Sequence, residues 1–138
     1  MIDKLLEPLI LIAEDDPDDT LMLMEAFSEI NQTSIKFLSN GKLLVEQVME
    51  LSQKDFLPKL ILIDLNMPVL DGRGVIKALK ANPSTENIPV VVLSTTKNKD
   101  DIDSVFNLGA TDFFTKPSNF SDLVNIAKIV SQKWLPSN

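Results

Sequence analysis

Five short apolar runs, each followed by a stretch with helical spacing, constrain this chain more than any other feature it has. The runs are PLILIA (8–13), SIKFL (34–38), KLILID (59–64), IPVVVLS (88–94) and TDFFT (111–115). They are rich in Ile, Val, Leu and Phe and are bounded by Pro, Gly, Asn or Asp, which marks strands. The first, third and fourth lack polar alternation, as strands buried on both faces of a parallel sheet do. Helices are expected over about 16–30, 41–52, 72–81, 99–108 and 120–134. Asp16 supplies the N-cap of the first and Pro17 its first helical residue. Gly109 suits a C-cap, Ser118 or Asn119 starts the last helix, and Pro83 and Pro89 bracket the loop before the fourth strand. Strands alternating with helices predict an α/β fold: one parallel sheet, helices on both faces, right-handed connections.

In the first helix, Met22, Ala26 and Ile30, with Leu23 and Phe27, make a sufficient core stripe. Leu21 and Met24 then fall to one side as a candidate apolar docking patch for partner helices.

A chain of 138 residues without a linker, repeat or low-complexity stretch suits one domain. The expected domain is 1–138 with a core of about 8–135 and no output domain. The net charge of -7 repels phosphate backbones, so nucleic acid is not an expected partner. No apolar stretch approaches the roughly 20 residues that span a bilayer, and the opening segment lacks the shape of a signal peptide. A cytoplasmic location is expected. The chain has no cysteine and no histidine. Without imidazole, the usual general base near neutral pH, chemistry falls to carboxylates, hydroxyls, lysine or a bound metal.

Ligands of open α/β sheets bind beyond the carboxyl ends of the strands. The first strand ends there in Glu14-Asp15-Asp16, the third in Asp64, the fourth in Ser94-Thr95-Thr96 and the fifth in Lys116-Pro117. Clustered carboxylates without nitrogen or sulfur donors favour Mg2+. A metal, a lysine and a hydroxyl around a carboxylate form a receptor for three anionic oxygens, which describes a phosphoryl group. Asp64 sits at the centre of that constellation. Asp18 and Asp19 are read only as first-turn acids that favour the helix dipole.

The motifs AEDD, ILIDLNMPVLDG, VVVLSTT and TDFFTKP, in this order at these strand ends, resemble the receiver domain of two-component response regulators, chemotaxis-regulator-like and of the stand-alone type. The resemblance runs from about Leu9 to Trp134. It implies a flavodoxin-like three-layer sandwich with strand order 2-1-3-4-5 and five helices. It implies that Asp64 accepts a phosphoryl group from a phosphohistidine on a histidine kinase or histidine phosphotransfer protein. Asp15 becomes a direct Mg2+ ligand, Glu14 acts mainly through water, and the Asn66 backbone carbonyl and Asp64 complete the metal set. Ser94 and Lys116 hold phosphoryl oxygens, and the Lys116-Pro117 bond is cis. Ser94 and Phe113 form the switch, which rearranges the surface of the fourth helix, fifth strand and fifth helix. Phe113 lacks the phenol found at this position in many members. Asn66 and Thr96 occupy the positions that tune dephosphorylation. Thr96 offers no charge or amide, so a longer phosphoryl lifetime than in fast chemotaxis-type members is expected.

The expected function is that of a phosphorylatable signalling module with slow self-dephosphorylation, not an enzyme in the ordinary sense, and a monomer or weak homodimer. The alternative is a relay intermediate that hands the phosphoryl group to another histidine protein; the downstream target is not identified. Two rivals come from other classes. A flavodoxin needs a phosphate-cradling loop after the first strand, where EDDPDD repels phosphate. A Mg2+-dependent aspartyl phosphohydrolase resembles D-x-D at its first strand, and Asp64-Leu65-Asn66 lacks the second acid.

Overall fold

The computed structural model describes residues 8–135. Its elements follow the apolar runs closely. Strands β1 (Ile10–Ala13), β2 (Ile35–Leu38), β3 (Leu60–Ile63), β4 (Val90–Ser94) and β5 (Asp112–Thr115) alternate with helices. The helices are α1 (Pro17–Glu29), α2 (Gly41–Gln53), α3 (Gly72–Lys80), α4 (Lys99–Leu108) and α5 (Phe120–Trp134). All strand pairs are parallel, in the order β2-β1-β3-β4-β5, with β1 and β3 in register at Ile10↔Leu60 through Ala13↔Ile63. The fold is the flavodoxin-like three-layer sandwich.

The two faces of the sheet are served by alternate residues. Leu11, Ala13, Ile61, Ile63, Val90 and Val92 point into a core closed by α2, α3 and α4. Ile10, Ile12, Leu60, Leu62, Val91 and Leu93 point the other way, onto α1 and α5. The three central strands are buried along their whole length, whereas β2 and β5 are partly exposed edges. A charge delivered by β1, β3 or β4 can therefore escape the core only at the strand ends, which concentrates polar chemistry along one rim.

The caps set where the helices begin. The Asp16 carboxylate accepts the Asp18 and Asp19 N–H groups, and Pro17 follows as the first helical residue. Asn40, Asp71, Asn98 and Asn119 cap the other four helices in the same way. Gly109 closes α4 at φ 114, a left-handed conformation that favours glycine. At Gly72 an added Cβ would lie 2.9 Å from the Leu65 Cα and 3.0 Å from the Asp64 carbonyl oxygen, so this helix start packs directly under the β3–α3 loop.

One expectation about α1 needs correction. Its buried face is Leu23, Ala26 and Phe27, and Ile30, partly buried, packs against them as expected, but Met22 is exposed. The helix turns its Leu23–Phe27 ridge to the sheet, which rotates Met22 toward the rim. Leu21 and Met24 are both exposed, at 53% and 48%. Among the described residues no helix is long and apolar enough to cross a membrane.

Candidate functional site

The rim at the ends of β1, β3, β4 and β5 brings the expected residues together. Glu14 follows β1 directly and is almost fully buried, while Asp15 beside it is exposed. Asp64 follows β3 and its side chain is largely covered. Carboxylate oxygens of Glu14, Asp15 and Asp64 all lie within 4.8 Å of one another. Lys116 reaches into the same space from the end of β5. Its Nζ donates to Glu14 Oε1 at 2.8 Å, to Asp19 Oδ2 at 2.9 Å and to Asp64 Oδ2 at 3.0 Å. An ammonium has three protons, and all three are used.

The acids are held in place by backbone donors. Glu14 Oε2 accepts the Asp16 N–H at 3.2 Å, which ties the site to the cap of α1. Asp64 Oδ1 accepts the Asn66 N–H at 3.2 Å. In the loop beyond, Val69 adopts φ 70 with its side chain exposed, a costly conformation for a β-branched residue. Ser94 is fully buried, and its Oγ accepts the Thr96 N–H at 3.3 Å. Thr96 Oγ1 in turn donates to Asp101 Oδ2 at 3.0 Å. The other Asp101 oxygen takes Arg73 Nη2 at 2.9 Å, while Arg73 Nε donates to Ser104 Oγ at 3.3 Å. Phe113, partly buried, packs against the core on the α2–α3–α4 side of the sheet.

Burial raises the Glu14 carboxyl above its ordinary value; the hydrogen bonds from Lys116 and the Asp16 N–H only partly offset it. Burial alone would lower the Lys116 ammonium, but its hydrogen bonds to Glu14, Asp19 and Asp64 outweigh that and shift it upward. The site thus keeps a permanent cation among acids that oppose one another.

Two readings change. Asp19 is more than a helix-dipole acid, because the first turn of α1 aims it at Lys116. Nothing local in the sequence announces a pair separated by 97 positions. The Lys116-Pro117 bond is trans, as are all peptide bonds among the described residues. The two forms before proline differ by only about 0.5–1 kcal/mol, so the local sequence does not decide between them.

Chemically, the rim offers hard oxygen donors with no nitrogen or sulfur ligand, which fits Mg2+ or Mn2+. Beside them stand a buried hydroxyl and a fixed ammonium.

Comparisons with known proteins agree with this geometry. The family described as response regulator receiver domain matches residues 10–128. Response regulator Rcp1 of Synechocystis sp. is 34% identical over 131 residues, covering 92% of this chain and 88% of that protein. The crystal structure of the phosphorylated cyanobacterial phytochrome response regulator RcpA superposes with a TM-score of 0.80 at 32% identity, covering 94% of each chain. The Mn2+-bound form of Rcp1 superposes at 0.75 with 31% identity, covering 94% of this chain and 95% of that one. Sheet order, rim chemistry and kinship converge: the chain belongs to the response regulator receiver domain family of two-component signalling.

Proposed function

We propose that this receiver domain is a phosphoacceptor that takes a phosphoryl group from a phosphohistidine partner onto Asp64. The observation that carries this reading is the meeting of Lys116 with Asp64 inside a ring of metal-competent acids. An Asp64 carboxylate oxygen attacks phosphorus in line as the bond from phosphorus to the partner's imidazole nitrogen breaks, and the imidazole leaves on the partner. Lys116 and the Ser94 hydroxyl stabilise the charge spread over the transferring oxygens. Bound Mg2+ supplies neutralisation of the acids and of the phosphoryl oxygens; Glu14, Asp15, Asp64 and the Asn66 carbonyl are the residues that would hold it.

Metal binding has a consequence that does not depend on phosphorylation. Mg2+ at one hundred times its Kd adds about 2.7 kcal/mol to the stability of the folded state, a rise in Tm of roughly 8 °C. A Tm indifferent to millimolar Mg2+ and to its removal by EDTA would exclude the shared metal site.

Signal output follows if Ser94 moves toward the phosphoryl group. Its contact with the Thr96 N–H is then given up, Phe113 turns into the space left behind, and the α4–β5–α5 surface changes shape. Exposed Leu21 and Met24 offer a docking patch for a helical histidine-bearing partner. The partner is a histidine kinase or a histidine phosphotransfer protein. A terminal regulator keeps its Asp64 phosphate when a phosphotransfer protein is added, whereas a relay intermediate loses it rapidly.

Thr96 bears on the lifetime of that phosphate. Its hydroxyl is engaged with Asp101, so it has no group to orient an attacking water. A glutamate there would face the Asp101 carboxylate, which makes Thr96→Gln the cleaner probe. We expect Thr96→Gln to speed loss of Asp64 phosphate about tenfold, as a water-positioning group does. Unchanged decay, followed by mass spectrometry, would remove Thr96 from the tuning role.

A further inference from the structure

We propose that Asp19 competes with the incoming phosphoryl group for Lys116 and thereby limits how tightly the pocket holds that group. This rests on the phosphoacceptor reading of Asp64. Lys116 Nζ divides its three protons among Glu14, Asp19 and Asp64. Glu14 and Asp64 belong to the acid group that fits a metal, whereas Asp19 stands outside it. Binding of a cation therefore draws on two of the lysine's partners and leaves the third in place.

A phosphoryl oxygen must claim a proton of Lys116, and it meets an ammonium already paired with a carboxylate. Asp19 also adds a fourth negative charge to the pocket, near where the phosphoryl charge arrives. A small cleft beside the site is lined by Asp19, Met22, Lys116, Pro117 and Leu123, so the lysine has space on the Asp19 side. Asp19 sits in the first turn of α1, which is capped by Asp16 and joined to Glu14 through the Asp16 N–H. Its position is set by the same hydrogen bonds that build the site. Asp18, one residue earlier, is exposed and makes no ion pair among the described residues.

The test is the affinity for beryllofluoride, a phosphoryl-like anion, measured by calorimetry at saturating Mg2+. Asp19→Asn is expected to bind about tenfold more tightly than wild type. Asp18→Asn removes the same formal charge from the same helical turn without touching Lys116, and is expected to change affinity by no more than about twofold. In the metal-free protein, the Lys116 ammonium proton resonance should be visible in wild type and Asp18→Asn and broadened away in Asp19→Asn. Equal affinities for the two variants, weaker binding by Asp19→Asn, or an unaltered ammonium resonance would each overturn the assignment. Failure of wild type itself to bind beryllofluoride would instead bring down the phosphoacceptor reading, and this inference with it.

Discussion

Asp64→Asn protein incubated with acetyl phosphate and Mg2+ is expected to show no gain in mass, while the wild-type chain gains one phosphoryl group per molecule. The substitution keeps the shape of the side chain and the oxygen that accepts the Asn66 N–H. It removes the carboxylate proposed as the nucleophile, and an amide is no substitute for one. It gives up the ion pair from Lys116 Nζ to Asp64 Oδ2, and it also removes one of the mutually repelling acids around the rim, which offsets that loss. Lys116 keeps Glu14 and Asp19 as partners. Loss of the mass gain therefore isolates the acceptor. Robust modification of Asp64→Asn, at stoichiometry near wild type, would place the phosphoryl group elsewhere and end the present account.

Lys116→Met carries the largest expected effect on stability. Without the ammonium, Glu14 is left buried near Asp64 with no other ion-pair partner among the described residues. Breaking a buried pair from one side costs about 3 kcal/mol, and the loss should appear in urea unfolding near neutral pH in EDTA. The pH dependence has a definite sign. The folded-state pKa of Glu14 already lies above its ordinary 4.5, so the folded form holds that proton longer than the unfolded chain does. The stabilisation this brings is complete below about pH 4.5 and is lost as pH rises through the folded pKa. Lys116 lowers the Glu14 pKa by hydrogen bond and by charge. Its removal pushes that pKa further up and widens the window of loss. The deficit of Lys116→Met should accordingly shrink toward mild acid. A deficit constant from pH 5 to 8 would mean that Glu14 does not carry it.

The fold was legible because its signals are local and repeated. Leu60–Ile63 and residues 90–93 are short, β-branched-rich apolar runs bounded by breakers, and such runs suit strands covered on both sides. Asp16-Pro17 marked the start of α1 to the residue, and Gly109 the end of α4. The convergence of Glu14, Asp15, Asp64, Ser94 and Lys116 on one rim followed from the rule that parallel strands deliver their C-terminal residues to one edge.

What escaped depended on rotation and reach. Met22 shares the spacing of Ala26 and Ile30, yet a stripe defined by Leu23, Ala26 and Phe27 leaves it at the border. Asp19 reads as one more acid in a first turn, and only the approach of β5 supplies its lysine. The Thr96–Asp101–Arg73 chain joins a loop to two helices, and no short motif encodes it.

That chain has a mechanical consequence. By gripping both Asp101 and Ser104, Arg73 fastens the start of α3 to α4, so the two helices should rock as one lever. A tug at Thr96 is then felt on both arms. Protein fragments selected for the activated form should leave footprints on the exposed side of α3, a region that a search confined to the last two helices would overlook.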